Sequence, residues 1–175
     1  MTPSAAFLSM RPPPDKYAPY HAGYVGLVAE GNILELLAGQ VKATRDLLAA
    51  LPAGFRPTPA DWSVAEVVGH LADSERVFAY RVLRFARGDA TPLPGFDQDC
   101  FVAHAGFSQR PLADLLDEFA AVRQGTLILL RNLDEAAWQR QGVANDMAVS
   151  VRALAYVIAG HELHHVADLR NRYSV

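Results

Sequence analysis

At 175 residues, with 51% hydrophobic and 20% charged side chains, the chain is long enough to bury one core without staples and reads as a single globular domain. A net charge of −3 and the lack of any Lys/Arg run argue against nucleic acid and anionic membrane surfaces as partners. A single cysteine, Cys100, excludes an intrachain disulfide framework, and no stretch reaches about 18 uncharged apolar residues, so the expectation is a soluble cytoplasmic protein.

Residues 1–30 hold five of the eleven prolines, with Pro12, Pro13 and Pro14 consecutive, and predict an extended N-terminal arm. Tyr17, Tyr20 and Tyr24 would pin that arm to a domain formed by residues 31–175. A first helix is expected from Asn32, which with Glu35 resembles a capping box, through Ile33, Leu36, Leu37, Gln40, Val41, Thr44, Leu47 and Leu48. Pro52 and Gly54 end it. Ser63 and Glu66 form a second capping box, opening a helix that runs to about Arg87.

Between residues 88 and 110 prolines, glycines and acidic residues break any periodicity, leaving a connection of a length usually reserved for functional loops. Its Leu93, Phe96, Cys100, Phe101 and Phe107 imply packing, so the segment is expected to cross one end of the domain as a candidate lid. Pro111 suits the first turn of a third helix reaching about Leu133, and Asp134 would cap a short turn ending near Trp138. Residues 139–149 are polar enough for a loop or a short hairpin, after which residues 150–173 read as the last amphipathic helix. Four long helices without a convincing strand give an all-α four-helix bundle, with a long crossover between its second and third helices.

In the last helix Leu154, Ile158, His161, His165 and Leu169 follow at steps of three or four, which puts two histidines on an apolar face. Each buried ring nitrogen needs a partner, and two imidazoles one turn apart can hold one divalent metal. His164 lies about 60° round the helix from His161 and ranks below His165. In the second helix Val67, His70, Leu71, Ser74, Phe78, Arg81 and Phe85 share a face, so His70 supplies a third core-facing imidazole. His70, His161 and His165 would leave open positions on the metal, as catalytic sites do.

HELHH also matches the H-E-x-x-H metalloprotease pattern, in which Glu162 would be the general base. Only ten residues follow His165, without a histidine, glutamate or cysteine among them, so the usual downstream third ligand is missing. Glu66 and Asp73 could orient His70, and Asp168 could orient His164 or His165, by accepting the other ring N–H. Ser74 and Arg81 place polar groups in line with His70, as if lining a pocket, and Arg81 or Arg152 could bind a substrate carboxylate. Asp97 and Asp99 are loop carboxylates able to take a proton.

WSVAEVVGHLADSE, the following FDQD and the near-terminal SVRALAYVIAGHELHH resemble the DinB-like, or YfiT-like, superfamily over nearly the whole chain. That resemblance implies an up-up-down-down four-helix bundle, commonly dimeric, with a metal on His70, His161 and His165. Three imidazoles suit zinc or nickel first, iron or manganese otherwise, and the expected partner is a small-molecule substrate. Members include transferases that use bacillithiol, mycothiol or glutathione, and one branch is labelled metal-dependent hydrolase. The leading expectation is therefore transfer of a low-molecular-weight thiol to an electrophile. Hydrolysis with Glu162 as base, and a non-enzymatic stress-associated bundle, are the alternatives. A homodimer is expected too, since Phe78, Val82 and Phe85 and the tyrosines of the arm exceed the apolar surface one bundle covers.

Overall fold

The computed structural model describes residues 3–49 and 51–172. Its elements are α1 (Ala5–Leu8), α2 (Ala22–Leu27), α3 (Ile33–Leu48), α4 (Val64–Ala86), α5 (Gln98–Ala105), α6 (Leu112–Arg131), α7 (Glu135–Gln139), β1 (Gln141–Ala144), β2 (Met147–Ser150) and α8 (Val151–Arg172). The bundle consists of α3, α4, α6 and α8. The predicted end of the last helix at Tyr173 lies outside the described residues.

The helix starts follow from their caps. Asn32 accepts from the Leu34 N–H. Ser63 accepts from the Glu66 N–H while Glu66 Oε2 accepts from the Ser63 N–H at 2.6 Å, a complete capping box. Asp134 caps α7 by accepting from Ala137. The polar stretch before α8 is a two-residue hairpin, because Asn145 and Asp146 adopt φ of 52° and 59°, left-handed at both central positions, and that matches the twist of the strands.

In cross-section the order around the bundle is α3, α6, α4, α8, so α3 lies diagonal to α4 and α6 to α8. Gln40 donates to the Ala159 carbonyl and Thr44 to Glu162, so α3 and α8 run parallel. Asp61, just before α4, pairs with Arg172 at the end of α8, and His70 faces His165, so α4 runs antiparallel to α8. Phe107 sits against Gly69 and Glu118 pairs with Arg76, so α6 runs parallel to α4. The chain therefore goes up, down, down, up, and this corrects the expected up-up-down-down order. An up-up-down-down chain needs two long crossovers. This one has a single long crossover, residues 87–111, which returns along α4 before α6 begins.

That crossover is more ordered than its composition predicts. Asp97 accepts from the Cys100 N–H to start α5, and Gly106 at φ 65° ends it. The arm is not extended either. Pro14 and Pro19 open single 3-10 turns, where a fixed φ and a missing N–H cost nothing, and α2 then packs on α8. Among the described residues no helix is long and apolar enough to cross a membrane.

Candidate metal centre

The face that α4 turns to α8 carries His70, and α8 answers with His161 and His165. His161 Nε2 lies 3.1 Å from His70 Nε2 and 3.2 Å from His165 Nε2. The three rings offer one nitrogen each within 4.8 Å of one another. A ring nitrogen has one in-plane position, filled by either a proton or a lone pair. His161 Nε2 therefore cannot make ordinary hydrogen bonds to both neighbours at once. Nitrogens bound about 2.0–2.1 Å from one tetrahedral or octahedral cation lie roughly 2.9–3.4 Å apart, so the observed spacings fit ligands to a shared divalent ion.

The electrostatics agree. Burial pushes His70 down to about 4 and His165 down to about 3. His161 falls well below its ordinary value, through burial first and then through the neighbouring imidazoles. All three rings are neutral at pH 7, the form that binds metal. Ser74 Oγ lies 3.3 Å from His70 Nδ1 and 3.5 Å from its Nε2, against the ring between the two nitrogens.

Aromatic rings close the flanks. Trp62 packs on His70 at 4.7 Å between centroids, and Phe78 and Tyr24 each meet His161 edge-on at 5.6 Å. Tyr24 comes from α2, and its phenol is pushed up to about 12 by burial and by Tyr20. Sequence reading missed this part of the site. Its signal was Gly160, a lone glycine inside a long helix, where a side chain would collide with the Tyr24 backbone. His165 borders a cleft of about 210 Å³ lined by Asp61, Trp62, Val67, Asp168 and Arg172.

The other predicted site residues are spread out. Glu162 does not join the trio: Oε1 accepts from Thr44 Oγ1 at 2.5 Å, and Oε2 lies 2.9 Å from Arg123 Nη2. Arg123 aims its hydrogen bonds at Glu75 and at the Leu37 carbonyl, so charge rather than an aligned hydrogen bond holds Glu162 Oε2. Burial raises the Glu162 carboxyl, against the pull of Arg123 and Thr44. Its position, one residue on from His161, turns it about 100° away from the trio.

Glu66 is spent on the Ser63 cap and on Arg56, and Asp73 pairs with Arg76, so neither orients His70. Asp97 caps α5, and Asp99 is exposed in its first turn. Asp168 pairs with Arg172 across the His165 cleft. His164 is exposed, edge-on to Tyr24 and to His165. Arg152 donates to the carbonyls of Phe7 and Met10 and stacks on Phe7, so it secures the arm. Arg81 stands on the α4 face of His70 and donates to the Pro94 carbonyl at 3.1 Å.

The pattern of the DinB superfamily matches residues 37–169, a span that contains all three histidines. The chain belongs to the DinB superfamily. A solved structure from Bacillus subtilis, YfiT, described as a probable metal-dependent hydrolase with an unusual four-helix bundle topology, is similar at TM-score 0.70 and 16% identity, over 79% of this chain and 82% of that one. This likeness places the DinB-superfamily chain in the same fold. No curated protein sequence matches it.

Proposed function

We propose that this DinB-superfamily chain is a metal-dependent enzyme acting on small molecules, with His70, His161 and His165 as ligands, and that its reaction is transfer of a low-molecular-weight thiol to an electrophile. A divalent cation there would supply Lewis acidity, lowering the pKa of a coordinated nucleophile toward neutrality. The observation that supports the choice of thiol is that, among the described residues, no carboxylate joins the group formed by the three imidazoles. Thiol ionisation needs no separate base once its pKa falls.

The residues of the chain have distinct tasks. Ser74 packs its hydroxyl against His70 and limits the swing of that ring. Trp62, Tyr24 and Phe78 exclude water from the sides of the trio. The cleft beside His165 is the approach for a small substrate. Hydrolysis is the second reading, favoured by the description of YfiT; it requires a base other than Glu162.

The test loads the purified protein with zinc, nickel, iron or manganese, measures bound metal, and assays thiol conjugation and ester hydrolysis in parallel. Conjugation that needs the metal and is lost in His161→Ala supports the proposal. Bound metal with hydrolysis alone moves the assignment to the second reading, and no bound metal removes both.

A further inference from the structure

Three arginines of the described residues are more than nine-tenths buried: Arg81, Arg123 and Arg152. Arg123 is paired with Glu75 and Glu162, and Arg152 feels the charge of Glu135 while donating to two carbonyls. Arg81 differs. It is 6% exposed, makes one hydrogen bond, to the Pro94 carbonyl, and no carboxylate among the described residues pairs with it. A buried guanidinium without a counter-charge carries a desolvation penalty of several kcal/mol. A buried group with unused donors calls for a partner such as an anion or water.

The surroundings of Arg81 are those of a receptor. The faces of Phe78 and Phe96 lie 5.8 and 5.9 Å from its Cζ, which holds the guanidinium plane while leaving N–H edges free. His21, 7% exposed, lies close enough for Arg81 to depress its pKa beyond the effect of burial, and its buried Nδ1 has no hydrogen-bond partner. A neutral imidazole can donate through that nitrogen. α4 and the crossover thus meet at this guanidinium. Phe78 also touches the His161 ring at 5.6 Å, so Arg81 Cζ lies within about 11 Å of that ring, the length of a small peptide-like molecule.

We propose that Arg81 anchors a carboxylate at the far end of the molecule whose reacting group sits at the histidine trio. The fork of a guanidinium matches a carboxylate in two parallel hydrogen bonds, so Arg81 selects carboxylate-bearing thiols over uncharged ones. The anchor itself stands on the unpaired charge; only the position of the reacting end rests on the proposed metal chemistry.

The experiment titrates the metal-loaded full-length protein by calorimetry with S-methylglutathione, which has carboxylates but no free thiol, and with glutathione diethyl ester, which has the thiol but masked carboxylates. S-methylglutathione is expected to bind the parent protein, about tenfold more weakly to Arg81→Gln, and with intermediate affinity to Arg81→Lys, which keeps the charge without the fork. The diester is expected to bind parent and R81Q alike. Failure of S-methylglutathione to bind the parent, or equal binding to R81Q, overturns the anchor. Loss of diester binding alone overturns the thiol reaction and leaves the anchor standing. Removal of an unpaired buried charge is expected to leave the melting temperature of R81Q at or above the parent value. If R81Q does not fold, R81K decides: affinity equal to the parent overturns the proposal.

Discussion

The backbone carbonyl of Tyr24 rests where a Cβ on Gly160 would be 2.0 Å away, so the arm can seat beside His161 only because residue 160 has no side chain. Substituting Gly160→Ala is therefore expected to destabilise, by about 1–3 kcal/mol, despite the roughly 1 kcal/mol that alanine gains over glycine in a helix. Gly39→Ala and Gly125→Ala, at helical positions with open space around the missing Cβ, should raise the melting temperature. Thermal unfolding checks all three, with limited proteolysis of residues 3–30 reporting release of the arm in G160A. A G160A melting temperature as high as that of G39A would show that the arm does not need this contact.

Glu162 belongs to the ion cluster of the core. With Glu75 still paired to Arg123, Glu162→Gln leaves one cation facing one carboxylate and is expected to change stability by no more than about 1 kcal/mol, with metal content and turnover preserved. Arg123→Met strands two buried carboxylates and should cost about 3–5 kcal/mol. Denaturant titration and metal analysis of both variants test the assignment, and a turnover defect in E162Q at unchanged metal content would return Glu162 to the chemistry.

Among the six histidines only the trio should control metal content. His161→Ala, which removes the nitrogen central to both 3.1 and 3.2 Å contacts, is expected to abolish stoichiometric binding, whereas His164→Ala, exposed on the neighbouring strip of α8, should retain it. Equal metal content in the two variants is the result that would sink the three-ligand site.

Stability of the metal-free protein should fall with acidification. Unfolded imidazoles take up protons near pH 6.5, whereas burial delays protonation of folded His70 to about 4 and of His165 to about 3. Between those limits the unfolded state binds more protons, so stability present above pH 6.5 drains away as pH falls through about 4 and 3, by an amount on the order of a few kcal/mol. Melting curves in chelator from pH 7.5 to 4 measure this slope. A triple His→Leu variant at residues 70, 161 and 165 should flatten it.

Much of this architecture could be read from the sequence because α3, α4 and α8 start on side-chain caps, α6 starts on Pro111, and each shows helical spacing of apolar residues. Ser63 with Glu66, and the spacing of His161 and His165 against His70, are local facts that survive folding unchanged. Glu162 was misread as a base because its partners, Thr44 and Arg123, are distant in sequence and occupy the face adjacent to the trio. The helix α5 escaped notice because an eight-residue element presents too few turns for periodicity to show, and its start depends on one Asp97 hydrogen bond. Helix directions were misassigned through the resemblance: the single long crossover fits the observed up-down-down-up order and not the expected up-up-down-down one. The covering by Tyr24 depends on where the arm lands, and proline content alone does not reveal that.

The small hairpin has a mechanical consequence. Tyr17 of the arm bridges to Val149 on one side of it, and Leu93 of the crossover bridges to Ala144 on the other, with the Leu93 N–H donating to Val143 at 2.9 Å and the Asn145 N–H to Leu93 at 3.0 Å. The two segments that roof this side of the bundle, the arm through Tyr24 on His161 and the crossover through Phe96 on Phe78, are thus stitched to the two edges of one ribbon. Neither roof can swing far without stripping a ribbon edge, so full opening becomes a collective event paced by breakage of those backbone bonds. Amide exchange at Leu93 and Asn145 is where its clock would be read.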